Sequence, residues 1–363
     1  MKIKESCKEY VTLLNSIRET NITLADFYLY LFSYGKLADK KYFDDLMINN
    51  GYTSESAVIE AIEEIVEIDL YSDENKDISD IYVTNAIHEA NVNDYLNDPY
   101  RKAINISKIS KGTYHLVKDE YEPYQLFPLD DISINDTYCE ISNIGYFKER
   151  FSYLALYEKQ NIWMSLNPNE INTMKPYIEK AKGNVLVLGL GLGYYPFMIS
   201  LKDDVKSITI IEKDKTIIDL FDENIFPNFP NKEKIKVVYD DAFKYLEKHK
   251  NNHEFDYVFA DIWHNPEDGL PLFSKIAKYE KEYNIPFDYW LFESIIAMAR
   301  RCLITIMIEH FEGFTDLNYR NAQNEIDRMI NELYFKTKEV TLNSMEDIER
   351  FLRTSNIYAL LRK

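Results

Sequence analysis

The sequence predicts an α/β protein: a parallel sheet with helices on both faces, preceded by a β-hairpin region and an N-terminal helical domain. Three observations carry this. Residues 184–262 alternate short apolar runs with helical patterns, as successive βα units do. Residues 113–166 hold aromatic and β-branched runs broken by turn-like stretches. Residues 1–112 show helical periodicity with few turn signals. The expected organisation is therefore 1–112 helical, 113–166 hairpins and 167–363 the α/β domain.

Within the first segment, AVIEAIEEIVEIDL (57–70) sets Val58, Ala61, Ile62, Ile65 and Val66 on one helical face. Glu60, Glu63, Glu64 and Glu67 fall largely on the other, a solvated face. SDENKDISD is a polar connector, and shorter helices follow to about Ile109. In the hairpin region TYHLV, YCEIS, FSYLALYE and NIWMSL read as strands, with PLDDISIND and the KER at 148–150 as turns. NPNEINTMKPYIEKAKG (167–183) reads as a helix: Asn167 caps it, Pro168 suits its first position, and Glu170 stands where a capping-box acid belongs. Gly183 would stop it, and Pro176 predicts a kink or a break.

Four strands follow: NVLVLGL (184–190), SITIIEK (207–213), KIKVVYDD (234–241) and FDYVFADIW (255–263). YYPFMISL, KTIIDLFDEN and AFKYLEKHK supply the helices between them. Continuous apolar strands of this kind are buried on both faces. Further on, LPLFSKIAKYEKEY and NAQNEIDRMINELY (321–334) read as helices and SNIYALLRK as a last edge strand. RRCLITIMIEH (300–310) is apolar on all sides, and its periodicity allows either a fifth strand or the continuation of a helix from near Tyr289.

The 363 residues are 46% hydrophobic and 28% charged, as in soluble globular proteins, and no run of eighteen apolar residues suggests a membrane span. MKIKESCKEYVTLL lacks the apolar core of a signal peptide. Cys7, Cys139 and Cys302 are odd in number and far apart, which suits a reducing cytoplasm better than a disulfide framework. The net charge of −19 disfavours nucleic-acid partners and suits a cationic or neutral small-molecule substrate. The six histidines show no metal-ligand spacing, so no metal is expected. The aromatic hairpins are a candidate homodimer contact.

The most informative stretch is GNVLVLGLGLGYYP (183–196). Gly189, Gly191 and Gly193 give G-x-G-x-G directly after an apolar strand. A dinucleotide fingerprint wants G-x-G-x-x-G, but the third place falls on Tyr194 or Pro196. No Gly-Lys-Ser/Thr follows, so a phosphate loop is absent as well. The next three strands each end in an acid: Glu212, the Asp240–Asp241 pair and Asp261. In a parallel sheet, strand ends converge on one crevice.

Over about residues 135–262 these features resemble class I S-adenosylmethionine-dependent methyltransferases of the spermidine-synthase-like branch, with VLVLGLGLG (185–193) as the matching glycine segment. The resemblance implies a Rossmann-like fold whose glycine turn (Gly189, Gly191, Gly193) passes under the amino-acid part of S-adenosylmethionine or its decarboxylated form. It also implies Glu212 on the ribose hydroxyls, Asp241 on the adenine amino group and Asp261 facing donor and acceptor. Spermidine synthases carry D-x-x-D followed by Pro on the loop after the fourth strand; here the loop reads Asp261-Ile262-Trp263-His264-Asn265-Pro266. The first acid is kept, while His264 replaces the second with a group suited to general-base work near neutral pH. Tyr194, Tyr195 and Trp263 are candidates to wall a cationic or aromatic substrate, or else to pack the crevice against the hairpins.

Three functions are thus expected, in this order: a methyltransferase acting on a small molecule or protein, an aminopropyltransferase, and a non-catalytic nucleoside-binding or scaffold protein. Asp261 and His264 are the candidate catalytic residues.

Overall fold

The computed structural model describes residues 1–314 and 322–363. The chain opens with three helices, α1 (Lys8–Tyr34), α2 (Lys40–Asn49) and α3 (Ser54–Val66). The Thr53 side chain caps α3 by accepting from the Ser56 N–H at 3.1 Å, and Ala57, Val58, Ala61 and Ile62 face the core. The helix stops at Val66 because Glu67 turns left-handed (φ 55°) and Glu63 accepts from the returning Leu70 N–H at 2.6 Å. Glu63 therefore closes a turn, where the sequence pattern placed it on a solvated face.

Four antiparallel strands follow: β1 (Lys108–Lys111), β2 (Tyr114–Tyr121), β3 (Phe151–Glu158) and β4 (Asn161–Leu166), hydrogen-bonded in the order β4-β3-β2-β1. Strands β2 and β3 pair over their whole length, from Tyr114 opposite Glu158 to Tyr121 opposite Phe151. The β3–β4 ladder is interrupted between Ile162 and Met164, which locally re-aims the side chains around Trp163.

Helix α4 (Pro168–Lys180) leads into a five-stranded parallel sheet. Its members are β5 (Gly183–Leu188), β6 (Val205–Glu212), β7 (Ile235–Tyr239), β8 (Tyr257–Ala260) and β9 (Phe287–Tyr289), in the order β7-β6-β5-β8-β9. Helices α5 (Tyr194–Ser200), α6 (Lys215–Asn224), α7 (Ala242–His249) and α8 (Pro266–Ala277) follow the first four strands. The strand order reverses direction beside β5, and the crevice over the carboxyl ends there is where such sheets bind ligands.

Helices α9 (Phe292–Phe311), α10 (Glu325–Thr337), α11 (Met345–Leu352) and α12 (Thr354–Leu361) complete the described chain. Two expectations change here, and one open alternative is settled. Pro176 does not break α4, which runs through it from Pro168 to Lys180 with Ile171 and Met174 packed in the core. Residues 300–310 belong to the 20-residue α9, whose first turn is capped by Asp131 accepting from the Glu293 N–H at 3.1 Å. The final SNIYALLRK is helical rather than an edge strand, burying Ile357, Leu360 and Leu361 at helical spacing. The sheet's real fifth strand is the short β9, whose three residues were too few to read as a pattern. Residue 321, where the last amphipathic helix was expected to begin, lies outside the described residues; α10 begins four residues later at Glu325, after the Asn324 cap.

Two apolar cores result. The larger joins Cys7, Val11 and Leu14 around the start of α1 to both sheets and to α9. The smaller gathers Tyr28, Leu31, Phe43, α3 and Tyr124–Tyr146. Lys2–Ile3 pairs in parallel with Thr341–Leu342.

Candidate functional site

A cavity of 540 Å³ opens over the carboxyl ends of β5, β6 and β8, roofed by β4 and the start of α4. The turn after β5 forms its floor. Gly189, at φ +96°, donates its N–H to the Ile211 carbonyl at 2.9 Å, and any Cβ there would collide with the Asp261 carbonyl oxygen. The Asp261 N–H returns a bond to the Leu188 carbonyl at 2.9 Å, so the ends of β5 and β8 are locked together. Gly191 is different: a Cβ added there meets nothing within 4 Å, which leaves its backbone bare toward the cavity it lines. Gly193 sits left-handed (φ 78°) at the start of α5.

Glu212 ends β6 almost fully buried. Its oxygens accept from the Leu190 N–H at 3.2 Å and the Asp214 N–H at 2.8 Å, fixing the side chain beside the glycine turn. A carboxylate has about four acceptor positions, so lone pairs remain for two hydroxyls. Asp241 caps α7 through one oxygen, accepting from Phe243 and Lys244 N–H at 3.1 and 3.0 Å, and lines the cavity. Asp240 spends its side chain on the Asp241 N–H at 2.8 Å and does not line it. Asp261 does; burial and then the nearby Glu212 push its carboxyl up to about 7.

A further acid enters from outside the strand ends. Asn167 caps α4 by accepting from the Glu170 N–H at 3.1 Å, but Glu170 does not close a capping box. Its carboxyl instead lines the cavity, and burial followed by the charge of Asp261 raises it well above the usual carboxylate range. The reason is geometric. Helix α4 has 13 residues and β5 has 6, both about 20 Å long. The two are joined by a two-residue link, so the beginning of α4 returns level with the end of β5. Glu212, Asp261 and Glu170 thus line one cavity.

The expected substrate wall is distributed differently. Tyr194 and Tyr195 line the cavity but are buried. The Tyr194 hydroxyl donates to Asp98 at 3.0 Å. Tyr195 stacks on Phe259 at 4.0 Å and donates to the Tyr177 carbonyl at 3.3 Å. Trp263, also buried, donates its indole N–H to the Trp290 carbonyl at 3.2 Å. These three rings pack the crevice while presenting part of their surface to it. His264 stands exposed at the cavity edge, 3.1 Å from Asp268 and edge-on to Trp163 at 4.4 Å. Asp268 also closes the capping box of α8 by accepting from the Asn265 N–H at 2.9 Å. Trp163, which no sequence motif singled out, lines the roof and keeps a buried indole N–H without a partner. Tyr114 ties the roof to the floor, donating to Asp214 at 2.9 Å. Among the described residues no His/Cys/Asp/Glu group is arranged to hold a metal ion, and no helix is long and apolar enough to cross a membrane.

Sheet order and the glycine turn after its central strand together define a Rossmann-like fold. Residues 170–279 match the spermine/spermidine synthase domain. No curated protein matches the sequence. Among solved structures, spermidine synthase from Thermotoga maritima is 14% identical with a TM-score of 0.31, the match covering 42% of this chain and 59% of that one. A spermidine synthase in complex with the transition-state analogue AdoDATO gives 14% and 0.31 over 42% and 58% of the two chains. M. jannaschii TYW2 in complex with AdoMet gives 16% and 0.24 over 35% and 54%. The chain therefore spans less than two thirds of each of these proteins.

Proposed function

We propose that this chain transfers an alkyl group from an S-adenosyl sulfonium donor to an amine of a small molecule. One observation carries the reading: a bare glycine turn is ringed by carboxylates at successive strand ends, with few cations to offset them. Glu158, Glu170, Glu212, Asp214, Asp241 and Asp261 line the cavity, against Lys213 as its one lysine or arginine among the described residues. In this reading the backbone at Gly191 leaves room for the amino-acid part, Glu212 accepts from the ribose hydroxyls, and Asp241 takes the adenine amino group on its second oxygen. The bound donor supplies an electrophilic carbon beside a positively charged sulfur. What remains for the protein is to align the acceptor, exclude water and take a proton. An amine arrives as an ammonium, drawn by the acids, and must lose one proton before its lone pair is free. Asp261 stands where that proton is given up.

Two donors fit this class. The excess of carboxylates favours decarboxylated S-adenosylmethionine, which carries an ammonium and no carboxylate, and hence aminopropyl transfer. The match of 170–279 to the spermine/spermidine synthase domain weighs the same way. Methyl transfer from S-adenosylmethionine itself is the second reading, favoured by His264 standing in place of a second acid on the loop after β8. Calorimetric titration with S-adenosylmethionine, its decarboxylated form and S-adenosylhomocysteine tests both. Tighter binding of the decarboxylated donor selects aminopropyl transfer, and tighter binding of S-adenosylmethionine selects methyl transfer. No binding by any of the three overturns the proposal.

A further inference from the structure

Resting on the transferase reading, we infer that Glu170 and Asp261 form a two-carboxyl centre that shares one proton in the ligand-free protein and exchanges it for the acceptor's ammonium. Glu170 thereby supplies, from the helix before the sheet, the second acid that the Asp261–His264 loop lacks.

The geometry supports this in three ways. Glu170 faces the cavity with no hydrogen bond or ion pair to its carboxyl among the described residues, so it has no evident structural task there. No hydrogen bond or ion pair joins its carboxyl to a cation among the described residues. The titratable groups lining the same cavity are Asp261 and His264 from the loop after β8, Glu212 and Lys213 from the end of β6, and Asp214 and Asp241 from the turns before α6 and α7. Tyr114 and Glu158 from β2 and β3 and Tyr194 and Tyr195 from α5 complete the lining, with Tyr121 of β2 close by. Like charges in so enclosed a place cannot both ionise cheaply, and a shared proton is the usual resolution. The upward displacement of both carboxyls agrees with it. Independently of the acids, Trp163 holds a buried N–H with no acceptor in the same wall, as expected where a ligand atom completes the site. Trp163, Trp263 and Trp290 also offer ring surface to an ammonium.

The proton count balances. On entry of an ammonium the shared proton leaves to solvent, and two carboxylates then face one cation. When the nitrogen is activated, one N–H bond breaks; the proton passes to a carboxylate and the electron pair stays on nitrogen as the nucleophile.

The test is calorimetry of the full chain with butylamine and 1,4-diaminobutane at pH 7, in phosphate and in Tris, whose ionisation enthalpies differ. Each titration is run with and without S-adenosylhomocysteine. The expected result is amine binding with release of a substantial fraction of ~1 proton, declining toward zero by about pH 9. Butane-1,4-diol should not compete. Glu170→Gln should weaken amine binding at least tenfold and remove the proton release, while Glu170→Asp restores part of both. Amine binding without proton release, an unchanged proton count in Glu170→Gln, or no amine binding at millimolar concentration each overturns the inference. Should Glu170→Gln fail to fold, the wild-type proton count and Glu170→Asp still decide. S-adenosylhomocysteine titrated alone separates the two claims. If it binds while the amine result fails, only the carboxyl pair falls. If it does not bind, the donor reading falls, and the amine titrations of the free protein still judge the pair.

Discussion

The floor of the cavity and its roof enclose the same space by different means. The floor is made by the ends of parallel strands, where main-chain bonds fix the backbone of Gly189 on Ile211 and of Asp261 on Leu188, and hold the Glu212 carboxylate on the Leu190 and Asp214 amides. The roof is made by β4 and the first turn of α4, and two of its polar groups, the Glu170 carboxyl and the Trp163 indole, have no partner among the described residues. A fixed floor suits the part of a reaction common to a whole class, the nucleoside donor. A roof with unspent polar groups suits what distinguishes one member, its acceptor.

The sharpest way to break this contrast is at the floor's tightest point. Gly189→Ala should cost about 4 kcal/mol or more, because its Cβ would strike the Asp261 carbonyl at a backbone angle that side chains avoid. Gly191→Ala, with open space above it, should cost only about 1–2 kcal/mol for its left-handed backbone. Equal losses in denaturant unfolding would show that the floor is not locked where the geometry says it is.

Next in size is a pH effect. The Asp261 carboxyl sits at about 7, against a usual value of 3.8. Between those pH values the folded protein keeps a proton that the unfolded chain gives up, so this group's contribution to stability falls as pH rises from about 4 through about 7. Asp261→Asn removes the penalty. The variant should gain on wild type by on the order of 3 kcal/mol between pH 4 and pH 8. Unfolding curves whose separation does not change with pH would remove Asp261 from the enclosed pair.

Glu212→Gln should weaken S-adenosylhomocysteine binding by about 1–3 kcal/mol, since an amide replaces one of the oxygens left for the ribose. Undiminished affinity would move the donor off the floor. Smallest of all, Trp163→Phe should change S-adenosylhomocysteine binding by no more than about 0.5 kcal/mol, as a roof substitution away from the donor. A large loss there would mean that the donor reaches the roof and the division of labour fails.

The same division explains what could be read without coordinates. The central parallel strands are largely buried apolar runs, so their ends are marked, and Glu212 and Asp261 stand where a run stops; Asp241 follows the half-exposed edge strand β7. Glu170 carried a competing local meaning as a capping acid, and only the matched lengths of α4 and β5 bring it to the crevice. Comparing those two lengths in the sequence would have found it. Tyr194 points its hydroxyl at Asp98, 96 positions away, a pairing that no local pattern encodes. Helices α9 and α12 were obscured for opposite reasons. The first is apolar around most of its circumference, and the second has only eight residues in which to show a period.

The parallel pairing of Lys2–Ile3 with Thr341–Leu342 bears on how the molecule is made. As the chain leaves the ribosome from its first residues onward, this ladder has to wait for a partner synthesised more than three hundred residues later. Until then the start of α1 lacks both that partner strand and α9, the helix it packs on. Contacts so distant along the chain close slowly. Cys7, Val11 and Leu14 therefore lack the cover of α9 until that helix has been made, and this apolar face needs protection in the interval.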